Sequence, residues 1–178
     1  MTTEPFPPAL RRSDRDLLAE CEVHTYRASG PGGQKRNKVE SAVRICHRPT
    51  GVTAVANESR SQLENRPRAL RRLREAIAVQ TRTVIELDKF QPSLELLAAK
   101  SPGGRLRVND HNPSYPIVVA TVLNVLAACG GRVADAAGVL AISTHHLTQF
   151  LADHPHVWQE ANRIRQLTGQ KPLRTNKG

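Results

Sequence analysis

Aromatic residues make up only 3% of the 178-residue chain. Single-strand nucleic-acid binders stack successive bases on several aromatic faces, so this scarcity argues against a stacking platform. Cysteine is sparse too: Cys21, Cys46 and Cys129 are far apart and odd in number, with no CxxC pair. A thiolate zinc site and a disulfide framework are thereby disfavoured. The longest apolar run, residues 117–129, is interrupted by Thr121 and Asn124. It falls short of the ~20 residues a membrane span requires. The first ten residues show no basic stretch leading into an apolar one, so no secretory signal is read there. The expected compartment is reducing and cytoplasmic.

Hydrophobic residues are 39% of the chain, enough for a core of Leu, Val, Ala and Ile. That excludes a disordered polyelectrolyte, and the length suits one domain or two small ones. Lys plus Arg number 26 against 16 Asp plus Glu, a net charge of +10. Residues 27–74 hold 12 basic residues against Glu40, Glu58 and Glu64, so +9 of the +10 sits there. Such a run can be no more than a solvated face. Arginine dominates it, however, and its guanidinium forks onto phosphate oxygens, which favours a nucleic-acid footprint.

Near the start the chain reads Ser13-Asp14-Arg15-Asp16, a helix-start pattern that predicts a short helix through Leu17, Leu18 and Ala19. Asp14, Asp16 and Glu20 are then helix-start charges, not an acid/base pair. Residues 21–27 alternate apolar and polar, as do 41–47 and 52–56, and each predicts a strand. Arg48-Pro49-Thr50-Gly51 supplies the turn between the last two. Asn65-Arg66-Pro67 predicts an N-cap with proline in the first turn. Leu70, Leu73 and Ile77 then form an apolar stripe, leaving Arg68, Arg71, Arg72 and Arg74 to face solvent or a polyanion. The expected class is α+β: a small antiparallel sheet with a packed helix and a long loop. An all-α, helix-turn-helix-like domain follows it.

Between the first two strands stands Ser29-Gly30-Pro31-Gly32-Gly33-Gln34. Adjacent glycines free the backbone to take positive φ and to approach another molecule closely. Glutamine is neither a strong base nor a covalent nucleophile. The segment can instead offer backbone N–H groups to a developing oxyanion and a positioned amide beside a water. A phosphate-cradling P-loop fits less well, since no Ser or Thr follows Lys35.

The order Tyr26-Arg27-Ala28-Ser29-Gly30-Pro31-Gly32-Gly33-Gln34-Lys35-Arg36-Asn37-Lys38, then Ser41-Ala42-Val43-Arg44, Pro49-Thr50-Gly51 and Arg60-Ser61-Gln62-Leu63-Glu64-Asn65, strongly resembles the catalytic domain of class I peptide chain release factors and their codon-independent ribosome-rescue relatives. The likeness spans roughly residues 13–77. It implies a peptidyl-tRNA ester hydrolase working in the ribosomal peptidyl transferase centre, without a cofactor or metal of its own and as a monomer. By position, Gly32, Gly33 and Gln34 would be catalytic. The Gln34 N–H would meet the oxyanion, and the Gln34 side chain would shape the space for water. Arg27, Lys35, Arg36, Lys38 and Arg60 would grip large-subunit rRNA, joined by Arg68, Arg71 and Arg72 on the basic helix. Fewer than thirty residues precede Gly30, which leaves no room there for the codon-reading domain of full release factors. The Lys35-Arg36 pair is more basic than the family's usual one. The tail offers only Lys171, Arg174 and Lys177, where rescue relatives carry a long basic one.

The expected domains are residues 1–100, a Pro/Gly-rich linker 101–114, and a helical domain 115–178. In the last, a helix over 117–129 ends at Gly130-Gly131. Ala136 and Ala137 sit where two helices cross, Leu140 and Ile142 lie under the turn, Ser143 is the next N-cap, and Leu147 and Leu151 anchor the core. Trp158, Ile164 and Leu167 predict one more packed helix. A helix-turn-helix nucleic-acid binder without hydrolase activity is the alternative, but a DNA reader usually carries Arg, Lys, Asn or Gln on its second helix. Thr144, His145, His146, Thr148 and Gln149 include one such reader and no permanent charge. Docking onto tRNA, rRNA or a ribosomal protein suits this domain better. His145, His146, His154 and His156 with Asp153 do not complete a ligand set for zinc.

Overall fold

In the computed structural model, residues 4–27 and 40–174 are described. The architecture is α+β, and the chain divides into two compact units: residues 9–77, and residues 78–178 together with the first eight.

The unit of residues 9–77 opens with helix α1 (Asp14–Ala19), whose N-cap Ser13 accepts a hydrogen bond from the Asp16 N–H. Strands β1 (Cys21–Tyr26), β2 (Ala42–His47) and β3 (Thr53–Ala56) form an antiparallel sheet in the order β1-β2-β3. The predicted alternation sets the faces. Val43, Ile45 and His47 are buried with Ala54 and Ala56, while Arg44 and Thr53 point to solvent. Gly51 takes φ +70° in the β2–β3 turn, the conformation that calls for glycine there.

Helix α2 (Gln62–Gln80) buries Ala69, Leu70, Leu73 and Ile77, the predicted stripe plus one alanine. Its start departs from expectation. The helix begins at Gln62, so Asn65 lies inside it and Pro67 is an internal proline rather than a first-turn one. The Asn65 N–H donates to the Ser61 carbonyl, which makes Ser61 the residue that opens the helix. Proline removes the donor that would reach the Leu63 carbonyl. Leu63 is exposed, so water can serve that oxygen.

The other unit contains α3 (Leu94–Ala99), α4 (Tyr115–Ala128), α5 (Val133–Val139), α6 (Thr144–Asp153) and α7 (Pro155–Leu167). Helix α4 is buried on all sides from Tyr115 to Leu126, as an apolar helix without charge must be. Thr121 and Asn124 within it are satisfied. Thr121 donates to the Ile117 carbonyl; Asn124 accepts from Arg82 and from the Thr83 N–H and donates to the Pro5 carbonyl. Gly131 ends α4 at φ +72°, with its N–H on the Leu126 carbonyl. A β-carbon there would stand 2.6 Å from Thr168 Oγ1 and 3.0 Å from Arg165 Cα, so α7 and the α4 terminus can approach only over glycine.

Ala136, Ala137, Leu140, Leu147 and Leu151 are buried and Ser143 caps α6, as the helix-turn-helix spacing predicts. The reading of α7 needs correction. Its core contacts come from Val157, Ala161 and Ile164, while Leu167 is exposed and Trp158 half-buried. Among the described residues no helix is long and apolar enough to cross a membrane.

Candidate catalytic segment and nucleic-acid interface

The register fixes what the glycine-rich segment connects. β1 and β2 are direct neighbours with Tyr26 paired to Ala42, so residues 27–41 join two adjacent antiparallel strands. Gly32, Gly33, Gln34, Lys35, Arg36 and Lys38 all lie in 28–39, outside the described residues. The two ends are described. On one side, Arg27 Nε stands 3.9 Å from Glu40 Oε1, both exposed, a pair worth little by itself. The Arg44 guanidinium lies 5.7 Å from the Tyr26 ring centroid, within cation–π range at the last paired residue of β1.

On the other side, Ser41 is buried, and its carbonyl accepts from Asn65 Nδ2 at 2.7 Å. Asn65 is fully buried; Nδ2 also donates to the Ser59 carbonyl at 2.8 Å, and Oδ1 accepts from the Ser59 N–H at 3.0 Å. A second clamp lies at the far end of β2. His47, 2% exposed, meets Thr50 Oγ1 at 2.8 Å through Nδ1 and Glu20 Oε2 at 3.2 Å through Nε2. Glu20 is held in turn by Arg12 at 2.8 Å. Thr50 Oγ1 also accepts from the Val52 N–H, so its hydroxyl shapes the turn.

The arginines predicted to meet RNA divide into three groups. Arg60 is exposed and, like Arg66, makes no ion pair among the described residues. Arg68 and Arg71 are exposed and pair along the helix with Glu64 at 3.6 Å and Glu75 at 3.8 Å. Such exposed pairs are worth ~0–1 kcal/mol, so phosphate can displace the carboxylates at small cost. Arg72 is half-buried: Nη1 donates to the Val55 carbonyl on β3 at 2.8 Å, and Nη2 pairs with Glu58. The hydrogen bond from Arg72 holds the Glu58 carboxyl below its ordinary range. Arg74, expected to face solvent, is turned inward onto the carbonyls of Ala9, Leu10 and Arg12 and onto Asp14.

Burial pushes the Cys21 and Cys129 thiols up, away from the thiolate. Among the described residues no three His, Cys, Asp or Glu side chains gather as a metal site. Sequence reasoning missed the Asn65 and His47 clamps. The available signal was an asparagine inside a proline-containing helix, a poor helix former that must be kept there by side-chain bonds.

The RF-1 domain family matches residues 17–105, half of the chain. Peptide chain release factor 1 of Ureaplasma parvum serovar 3 is 58% identical over 55 residues, 31% of this chain and 15% of that protein. The Leptospira biflexa factor is 45% identical over 88 residues, 49% of this chain and 25% of the other. That of Rubrobacter xylanophilus is 34% identical over 132 residues, 68% and 34% respectively. The chain thus spans about a third or less of the length of these relatives, and helices α4–α7 lie beyond the family match. On the half-chain match, and with the sheet and α2 inside it, the chain belongs to the RF-1 domain family, the catalytic-domain family of class I peptide chain release factors.

Proposed function

We propose that this chain is a translation release factor that hydrolyses the ester bond of peptidyl-tRNA in the ribosomal peptidyl transferase centre, without reading a codon. The observation that carries the reading is the family match, with Gly32-Gly33-Gln34 standing in the connection between two directly paired strands. In this reading the glycines let the backbone reach the ester. The Gln34 N–H donates to the oxyanion that forms as water attacks the carbonyl carbon, and the ribose oxygen of the tRNA leaves with a proton. The Gln34 side chain confines the attacking water. Arg27, Lys35, Arg36, Lys38, Arg60, Arg68, Arg71 and Arg72 bind rRNA phosphate, Arg68 and Arg71 by exchanging intramolecular carboxylates for it and Arg72 only through the Nη2 that pairs with Glu58, its Nη1 staying on the Val55 carbonyl.

Codon independence is the narrower part of the proposal and draws support from charge. Residues 115–167 carry Arg132, Arg163 and Arg165 against Asp135, Asp153 and Glu160, so helices α4–α7 bring no net attraction for mRNA or decoding-site phosphate. The same balance weighs against a DNA-reading role.

The test uses ribosomes holding labelled peptidyl-tRNA with a sense codon, a stop codon or no codon in the A site. Release is expected at similar rates in all three, and Gly33→Ala is expected to slow it by about 100-fold or more. Release confined to the stop codon removes codon independence. Equal release by Gly33→Ala removes the catalytic role of the segment.

A further inference from the structure

The connection between β1 and β2 begins and ends at one paired position, Tyr26 with Ala42, and is long for adjacent antiparallel strands. A long connection presents its middle reproducibly only if the chain leaves the sheet in one direction at each end. On the upstream side the exposed Arg27–Glu40 pair at 3.9 Å is too weak to set that direction. On the downstream side the chain is held. Asn65 is 0% exposed, and its side chain carries three hydrogen bonds that tie the Ser41 carbonyl to residue Ser59, just ahead of α2. Both amide donors and one acceptor position are used, which no carboxylate or hydroxyl of similar size can reproduce.

The ordinary alternative is that Asn65 serves the helix start alone. The Ser59 bonds would suffice for that, since the Ser61 carbonyl already takes the N–H groups of Glu64 and Asn65, and Ser59 Oγ takes the Ser61 N–H. The shortest of the three bonds goes elsewhere: 24 residues back, to the residue before β2.

We infer that Asn65 is a positioning residue for peptide release: by holding the Ser41 carbonyl against the α2 start, it sets how the Gly32–Gln34 connection leaves the sheet. This inference deepens the proposed release activity and rests on it. Asn65 touches no reacting atom; it acts on the backbone at Ser41. The conformational freedom removed at that end would otherwise be removed in the transition state, so the loss should show in the chemical step rather than in docking.

Two variants of the full chain test it. Asn65→Asp keeps the acceptor for the Ser59 N–H but cannot donate to the Ser41 or Ser59 carbonyls. Asn65→Leu fills a similar volume with no polar atom. Single-turnover release is measured against ribosome-complex concentration and normalised to folded protein, beside wild type and Gly33→Ala. The expected result is a maximal rate about tenfold lower or more, with the half-saturating concentration within about twofold of wild type. Amide exchange in the free protein is the second readout. Exchange at Ala42, which opens β2 next to the tethered carbonyl, should speed up about tenfold or more while the β2–β3 pairs keep their protection. A normal rate per folded molecule, or unchanged exchange at Ala42, overturns the inference. If wild type itself releases nothing while the variants free that amide, the release reading falls and the tether stands.

Discussion

The two units join their elements by different means. In residues 9–77 a core of small and branched apolar side chains is supplemented by polar side chains that run from one element to another: Asn65 to Ser41, His47 to Glu20 and Thr50, Arg72 to Val55, Arg74 to Ala9 and Leu10. In the helical unit α4 is an apolar rod buried from Tyr115 to Leu126, with α5, α6 and α7 laying Val133, Ala137, Leu147, Leu151, Val157 and Ile164 into the core. The difference follows from what each sequence must do. A three-stranded sheet with a 15-residue connection between neighbours leaves carbonyls at its ends that directional bonds hold. Four helices satisfy their own backbone and meet through apolar stripes and caps, with Asn124 a polar tie among them. Directional bonds fix positions and apolar packing fixes stability, and the first kind holds the Ser41 end of the β1–β2 connection.

The sharpest way to break this contrast is to cut into the rod. Leu123 is fully buried, and Leu123→Ala should cost about 2–5 kcal/mol by lost transfer energy and a residual cavity. Amide exchange read residue by residue should show α4–α7 losing protection while β2 and β3 keep theirs. Equal loss in both would mean that one cooperative core, not two, sets stability.

A smaller effect separates the units by pH. The His154 ring lies 5.0 Å from both the Tyr115 and the Phe150 ring centroids, and burial holds its pKa below the usual 6.5. Asp153 and Asp110 face it and only partly oppose the shift. Because the folded pKa is depressed, the unfolded chain takes up the proton first as the pH falls below 6.5. The helical unit therefore loses stability from there down to the folded pKa and then levels off. His154→Phe should flatten that slope in thermal melts between pH 7 and 5, as about 6.5 is where histidine ordinarily titrates. An unchanged slope would place its source elsewhere.

Alternation made the three strands legible because one face of the sheet is buried, and the register of Val43 with Ala56 and Ile45 with Ala54 follows from it. The helix-turn-helix spacing was legible for the same reason: Ala136, Leu147 and Leu151 are apolar where helices cross. Asn65 misled because Asn before Xaa-Pro is a local start signal, and a side-chain bond to Ser41, distant in sequence, overrode it. Helix α3 was missed since Leu94 and Leu97 are exposed, and its six residues show too short a stripe to read. Arg72 and Arg74 counted as free charge because composition cannot tell a cation aimed at solvent from one bonded to carbonyls. Of the candidate site, the motif was legible, whereas the fixation of its ends depends on backbone carbonyls, which every residue has.

The smallest effect tests that last distinction. Arg72 makes one bond to a backbone carbonyl and one ion pair with Glu58, both partly exposed. Glu58→Gln removes the charge from the pair and one of the two oxygens that accept from Arg72 and from the Asn57 N–H. Its depressed carboxyl pKa means that the pair stabilises above the ordinary carboxylate value near 4.5 and is lost as the pH falls through the folded value. With about two-fifths of each side chain exposed, that contribution is ~0.2–1 kcal/mol and fades with salt. Arg72→Lys keeps the charge but gives up the planar fork that serves Val55 and Glu58 together. Denaturant melts at low and high salt should therefore show a Glu58→Gln deficit that salt erases and an Arg72→Lys deficit that persists, because a carbonyl bond is not screened. If both deficits vanish in salt, Arg72 belongs with Arg68 and Arg71 as a charge free to turn to phosphate, and the sheet unit has one clamp fewer than its geometry indicates.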